Sequence, residues 1–153
     1  MQSQSKPPFT IKGLDHVVLR VRSVPDSLKF YCDVLGCHVE REIDSIGLIQ
    51  LRAGAALIDL VDVEGELGRQ GAAPAALDPA QGGRNMDHFA IAIDQVDEAQ
   101  LLTYLSRHGI AVAPMVERYG AQGMGPSLYI VDPDGNTVEL KGTGTVSRNG
   151  RRN

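Results

Sequence analysis

Leu14-Asp15-His16-Val17-Val18-Leu19-Arg20-Val21 is an apolar, strand-like run that opens on an acid beside an imidazole. Residues 86–93, Met86-Asp87-His88-Phe89-Ala90-Ile91-Ala92-Ile93, repeat it. A helix-like stretch closed by glycine follows each run, reaching Gly36 in one half and Gly109 in the other. Each half then ends on an apolar strand that carries one acid: Leu57-Ile58-Asp59-Leu60 in the first and Thr137-Val138-Glu139-Leu140 in the second. A duplicated unit of this kind can bring one imidazole and one carboxylate per copy to the place where the copies meet, and those donors suit a metal.

Between these landmarks the pattern predicts the same order of elements twice. Ser23-Val24-Pro25-Asp26 has the residue types of a helix start, and Leu28, Tyr31, Cys32 and Leu35 fall on one helical face. Gly36 suits the left-handed position that closes a helix. Strands are expected near 37–43, 46–52 and 55–63, with Gly54 turning between the last two, so the first half reads β-α-β-β-β. In the second half a strand over His88–Ile93 precedes a helix over Asp97–His108 and a strand over Ile110–Val116. Gly120, Gly123, Gly125 and Pro126 predict a flexible loop. Ser127–Val131 and Thr137–Lys141 flank the turn Asp132-Pro133-Asp134-Gly135-Asn136 and predict a hairpin. The expected division is a flexible arm over 1–10, a first βαβββ module over 11–66, a Gly/Ala/Pro-rich linker loop over 67–85, a second module over 86–142 and a basic tail over 143–153.

The chain has 153 residues, 42% of them hydrophobic, enough for one core; tryptophan is absent and aromatics are 5%, so that core must be aliphatic. A net charge of −4 implies no broad basic surface, which argues against nucleic acid as a partner. No run of about 18 apolar residues is present, so no membrane span is expected, and the polar first ten residues do not read as a signal peptide. Cys32 and Cys37 form neither a disulfide framework nor a CxxC motif, and a reducing, cytoplasmic setting is expected.

Alternate residues of a strand point to one face. His16 therefore shares a side with Val18 and Arg20, Asp59 with Leu57 and Val61, His88 with Ala90 and Ala92, and Glu139 with Thr137 and Lys141. A concave sheet that turns His16, Asp59, His88 and Glu139 inward would hold one divalent metal, with Zn, Ni, Fe, Mn and Co all compatible. Asp59, one methylene shorter than glutamate, reaches such an ion directly or through water; the alternative is a solvated strand end shared with Asp62. His38 and His108 read as structural or exposed. Arg118 is a candidate partner for an anionic substrate beneath a lid formed by Gly120–Gly125. Tyr129 is a candidate hydrogen-bond donor, alternating with Ser127 on one side; Arg20 is a candidate for the cavity mouth, and Arg84 and Asn85 for a hinge or pocket.

Asp15-His16-Val17-Val18-Leu19 with the following Phe30-Tyr31, Asp87-His88-Phe89-Ala90, and the long stretch from Ser127 to Leu140 resemble the vicinal oxygen chelate superfamily, which joins glyoxalases, bleomycin-resistance proteins and extradiol dioxygenases. The resemblance covers about residues 11–142. It implies an α+β fold in which two βαβββ modules form a cupped mixed sheet, in a homodimer whose site is shared between subunits in some members. His16, His88 and Glu139 match the family's metal ligands, and Asp59 matches a fourth ligand, a carboxylate, found in glyoxalase I.

The implied chemistry has three forms. Glyoxalase-like isomerase or lyase chemistry on a small polar substrate with neighbouring oxygens uses Glu139 or Asp59 as the proton-moving base. Extradiol dioxygenase chemistry uses Fe(II) on His16, His88 and Glu139. The third form resembles the fosfomycin- and bleomycin-resistance proteins, in which Ser127 and Tyr129 match substrate-contacting positions and Arg148 an anchoring arginine. Val18 departs from that last pattern, standing where thiol-transferring members carry threonine.

Overall fold

The computed structural model describes residues 11–70, 86–95 and 97–143. The arm over 1–10, the linker over 71–85 with Arg84 and Asn85, and the tail from 144 with Arg148 lie outside the described residues.

Among the described residues, eight strands build two four-stranded sheets of the same plan. The first contains β1 (His16–Val21), β2 (His38–Ile43), β3 (Leu48–Ala53) and β4 (Ala56–Asp62), in the order β1-β4-β3-β2. The second contains β5 (His88–Ala92), β6 (Val116–Gly120), β7 (Gly123–Val131) and β8 (Thr137–Lys141), in the order β5-β8-β7-β6. The first and last strands of each module pair in parallel, β1 with β4 and β5 with β8, and the remaining pairs are antiparallel. This is the doubled βαβββ arrangement that the repeat predicts.

The helical segments add Phe30, Tyr31, Val34 and Leu105 to the buried core. Ser23 caps α1 (Val24–Leu28), its hydroxyl accepting from the Asp26 N–H, and the chain continues as a wide π-helical turn over Lys29–Val34. Gly36 closes that turn at φ 80°, the left-handed position at which glycine avoids a Cβ clash. In the second module Asp97 caps α3 (Glu98–Arg107) by accepting from the Gln100 N–H at 2.9 Å. One hydrophobic core joins both modules: Leu19, Val21, Leu51, Ile58 and Leu60 from the first sheet meet Leu105, Leu128, Ile130, Val138 and Leu140 from the second.

Three stretches differ from the sequence expectation. Residues 110–115 carry no regular strand, and β6 begins only at Val116. The segment expected to be a flexible loop is a tight hairpin instead: Gly120 pairs with Gly123, Tyr119 with Met124 and Arg118 with Gly125. Gly123, at φ 90°, supplies the turn, so the glycines permit pairing where composition suggested mobility. The expected linker opens with a helical turn, α2 (Glu66–Gln70), folded back on the end of β4. That return needs Gly68, which is buried; a Cβ there would collide with the backbone of Asp62 and Val63. Gly68→Ala is expected to lift α2 off β4, destabilising the chain by about 1–3 kcal/mol. Urea denaturation, with limited proteolysis for new cleavage near residue 66, measures both effects.

Polar contacts fasten the modules where the Asp132–Asn136 turn meets the first helix. The buried Tyr31 hydroxyl donates to Asp132 Oδ2 at 2.6 Å, and burial beside that carboxylate pushes the phenol pKa well above its ordinary value. Arg22 donates through Nε to Asp134 Oδ1 at 3.0 Å and through Nη2 to the Pro133 carbonyl at 3.3 Å. From the other side Tyr104 of α3 donates to the Val34 carbonyl at 2.8 Å.

Candidate metal centre

Each sheet sets one histidine and one buried carboxylate on a parallel pair of strands. His16 is the first residue of β1, and its Nδ1 lies 2.6 Å from Asp15 Oδ1, which leaves Nε2 as the nitrogen available to a ligand. Register sets Val18 opposite Asp59, so His16 and Asp59 share a face of the β1–β4 pair. Asp59 is 5% exposed. Gln50, directly across from it on β3, donates its amide to Oδ2 at 2.9 Å, while the buried Oδ1 has no partner.

The second half repeats this with different side chains. His88 Nδ1 lies 2.5 Å from Asp87 Oδ2, and Nε2 faces Glu139 Oε2 at 3.1 Å. Glu139 is 6% exposed, and its Oε1 accepts from the Ser127 hydroxyl at 2.5 Å. Tyr129, opposite Glu139, stands edge-on to the His88 ring with centroids 5.6 Å apart. Both imidazoles titrate above the usual histidine value, chiefly through the bond to the preceding aspartate and further through the charge of Asp59 on His16 and of Asp87 and Glu139 on His88.

Imidazoles whose Nδ1 is already committed, beside buried carboxylates each tied through one oxygen to a neutral donor, are borderline-hard donors that fit a first-row divalent ion. Asp59 Oδ1 carries the fit test: a buried acceptor left without a donor is costly unless something outside the chain satisfies it.

The four ligand candidates do not converge within one chain. Among the described residues no three His, Cys, Asp or Glu side chains come together as a cation site. His16 and His88 both line a cavity of about 800 Å³ between the modules, with Val17, Phe89, Tyr104 and Cys37, but neither Asp59 nor Glu139 reaches it. Burial pushes the Cys37 thiol up to about 11, so it stands there protonated.

The proposed substrate residues are placed variously. Ser127 is fully buried, and its hydroxyl donates to Glu139 Oε1. Tyr129 stands at the second half-site. Arg20 Nη2 donates to the Gly68 carbonyl at 2.8 Å, which ties it to α2. Arg118 is exposed on β6 and donates to the Glu117 carbonyl at 3.1 Å. Gln50 was not foreseen from sequence. Its signal was an amide inside the apolar run Leu48-Ile49-Gln50-Leu51, set across a glycine turn from an acid.

A family model for the Glyoxalase/Bleomycin resistance protein/Dioxygenase superfamily matches residues 13–140, which include both half-sites. The chain belongs to this superfamily. It is 30% identical over 128 residues to catechol-2,3-dioxygenase of Bacillus subtilis, a match that takes in 83% of this chain but only 40% of that protein. It is 30% identical over 135 residues to a virulence protein of Salmonella typhimurium, covering 85% of this chain and 83% of the other. An integron cassette protein from the mobile metagenome of V. cholerae superposes with a TM-score of 0.65 at 28% identity, over 89% of this chain and 98% of that one. Enzymes of several kinds share the superfamily, so membership establishes the doubled fold and leaves the reaction to the site.

Proposed function

We propose that this protein is a divalent-metal-dependent enzyme of the glyoxalase type, an isomerase or lyase acting on a small polar substrate with neighbouring oxygens. Its site is completed when His16 and Asp59 of one copy meet the partner subunit's His88 and Glu139. The observation that carries the reading is the paired construction of the half-sites, above all the open, buried Oδ1 of Asp59. A bound Zn, Ni, Mn, Co or Fe ion supplies Lewis-acid polarisation of two adjacent substrate oxygens. Asp15 and Asp87 hold the two imidazoles in orientation through Nδ1. Ser127 holds Glu139 through Oε1, and Oε2, which faces His88 Nε2, is the oxygen assigned to take a proton from one substrate carbon and return it to the next. Asp59 is the second candidate base. Arg118 and Tyr129 are assigned to substrate, and the setting is a cytoplasmic homodimer.

A second reading, an extradiol-type Fe(II) dioxygenase, draws on the name of the Bacillus relative. A fourth ligand, the carboxylate of Asp59, weighs against it, because 2-His-1-carboxylate iron sites keep open positions for oxygen and substrate.

Elemental analysis of untagged protein purified without chelators, followed by aerobic Ni²⁺, Zn²⁺ and Mn²⁺ and anaerobic Fe²⁺ titrations, tests the proposal. About one metal per chain is expected, with His88→Ala and Glu139→Gln each weakening binding by more than about 100-fold, beyond the range of groups that only support a ligand. Asp59→Asn is expected to weaken it less. A preference for Ni²⁺ or Zn²⁺ favours the glyoxalase-type reading, and a preference for Fe²⁺ favours the dioxygenase. Absence of metal binding refutes both and points to a ligand-sequestering protein of the bleomycin-resistance kind.

A further inference from the structure

We infer that Gln50 is a positioning residue that fixes Asp59 as a one-oxygen metal ligand, an assignment that rests on the metal reading above. The carboxylate has two chemically equal oxygens, and burial leaves it 5% exposed, so water does not reach both freely. Gln50 breaks the equivalence. Its Nε2 donates to Oδ2 at 2.9 Å, which leaves Oδ1 as the single oxygen without a partner.

The second half-site supports the assignment by doing the same thing with the lengths reversed. There the carboxylate is the longer glutamate and the donor is the short serine, Ser127 on β7, bonded to Glu139 Oε1 at 2.5 Å. In the first, the carboxylate is the shorter aspartate and the donor is the long glutamine on β3, in direct register with it. Each pair spans neighbouring strands of its sheet, and each ties one carboxylate oxygen with a neutral donor. Neutrality matters: an arginine or lysine in place of Gln50 would add a charge that competes with a cation for the same carboxylate, whereas an amide orients it and leaves its charge available. Gln50 is half-buried between Ile49 and Leu51, where its amide needs a polar partner, and Asp59 supplies one.

The test uses Co²⁺ as the probe on full-length protein, with affinity measured by chelator competition and geometry by the visible d–d bands. Gln50→Met keeps the side-chain length and removes the donor. It is expected to weaken Co²⁺ binding about tenfold and to shift the d–d bands as Asp59 swings to a two-oxygen or water-bridged mode. In an Asp59→Asn background the same substitution is expected to have no further effect, because its action runs through that carboxylate. Gln50→Asn keeps an amide but draws it back by one methylene; it serves where Gln50→Met fails to fold and should shift the bands in the same sense. Unchanged bands and affinity in both variants, with His88→Ala still abolishing Co²⁺ binding, would overturn the role of Gln50 and leave the metal site standing. An effect that persists in the Asp59→Asn background would overturn it equally. Intact Co²⁺ binding in His88→Ala would bring down the metal reading itself.

Discussion

When His16→Ala and His88→Ala proteins, each unable to bind metal, are unfolded together and refolded as a mixture, metal binding is expected to return to about one quarter of the wild-type level per chain. The expectation follows from the separation of the half-sites. His16 stands with Asp59 and His88 with Glu139, and among the described residues no three potential ligands of one chain gather. If two copies exchange halves about a two-fold axis, a mixed dimer holds one site that has lost both histidines and one that keeps both. Random pairing makes about half the dimers mixed, and each carries one good site of two. Metal analysis of the refolded mixture, with each variant refolded alone as control, reads the result directly. A mixture that binds no more than its components would mean that each site belongs to one chain, and the shared-site reading would fall.

The second large effect concerns stability. Asp132→Ala is expected to destabilise the protein by about 3–5 kcal/mol, a large part of what holds a domain of this size together. Asp132 is 4% exposed and accepts four bonds: from the Tyr31 hydroxyl at 2.6 Å, from the Asp134 N–H at 2.9 Å, from the Asn136 N–H at 2.8 Å and from Asn136 Nδ2 at 2.8 Å. Removing the carboxylate leaves the buried tyrosine hydroxyl without an acceptor, frees the turn that joins β7 to β8 and loosens the fastening between modules. Tyr31→Phe removes one of those bonds and leaves Asp132 three others, so it should cost only about 1–2 kcal/mol. Urea denaturation of the three proteins gives both values. Equal losses for the two variants would mean that the tyrosine contact, not the turn, carries the effect.

The same residue shows how far sequence reading reaches. Asp132-Pro133-Asp134-Gly135-Asn136 was legible as a turn because its residue types serve the backbone locally, and the hairpin it closes is present. Nothing in the five residues indicates that Asp132 also receives a hydroxyl from Tyr31, one hundred and one positions away. Gly120–Gly125 departs from the expected loop for the converse reason. Glycine lowers the cost of both a mobile loop and a tight turn, and the cross-strand pairing of Tyr119 with Met124 decided between them.

What the sequence determined by itself was the doubled module and the face on which each candidate ligand stands. Both are local properties: a period of two along a strand, repeated in register, assigns His16, Asp59, His88 and Glu139 to their sides whatever lies across from them. The tertiary structure decided what each of those side chains meets. Pairing of β3 with β4 brought Gln50 to Asp59, pairing of β7 with β8 set the buried Ser127 hydroxyl on Glu139, and docking of the modules kept the two imidazole–carboxylate pairs apart. Those outcomes depend on register between strands and on the angle between sheets, which are set by the packing of one shared core and leave no periodic trace along the chain.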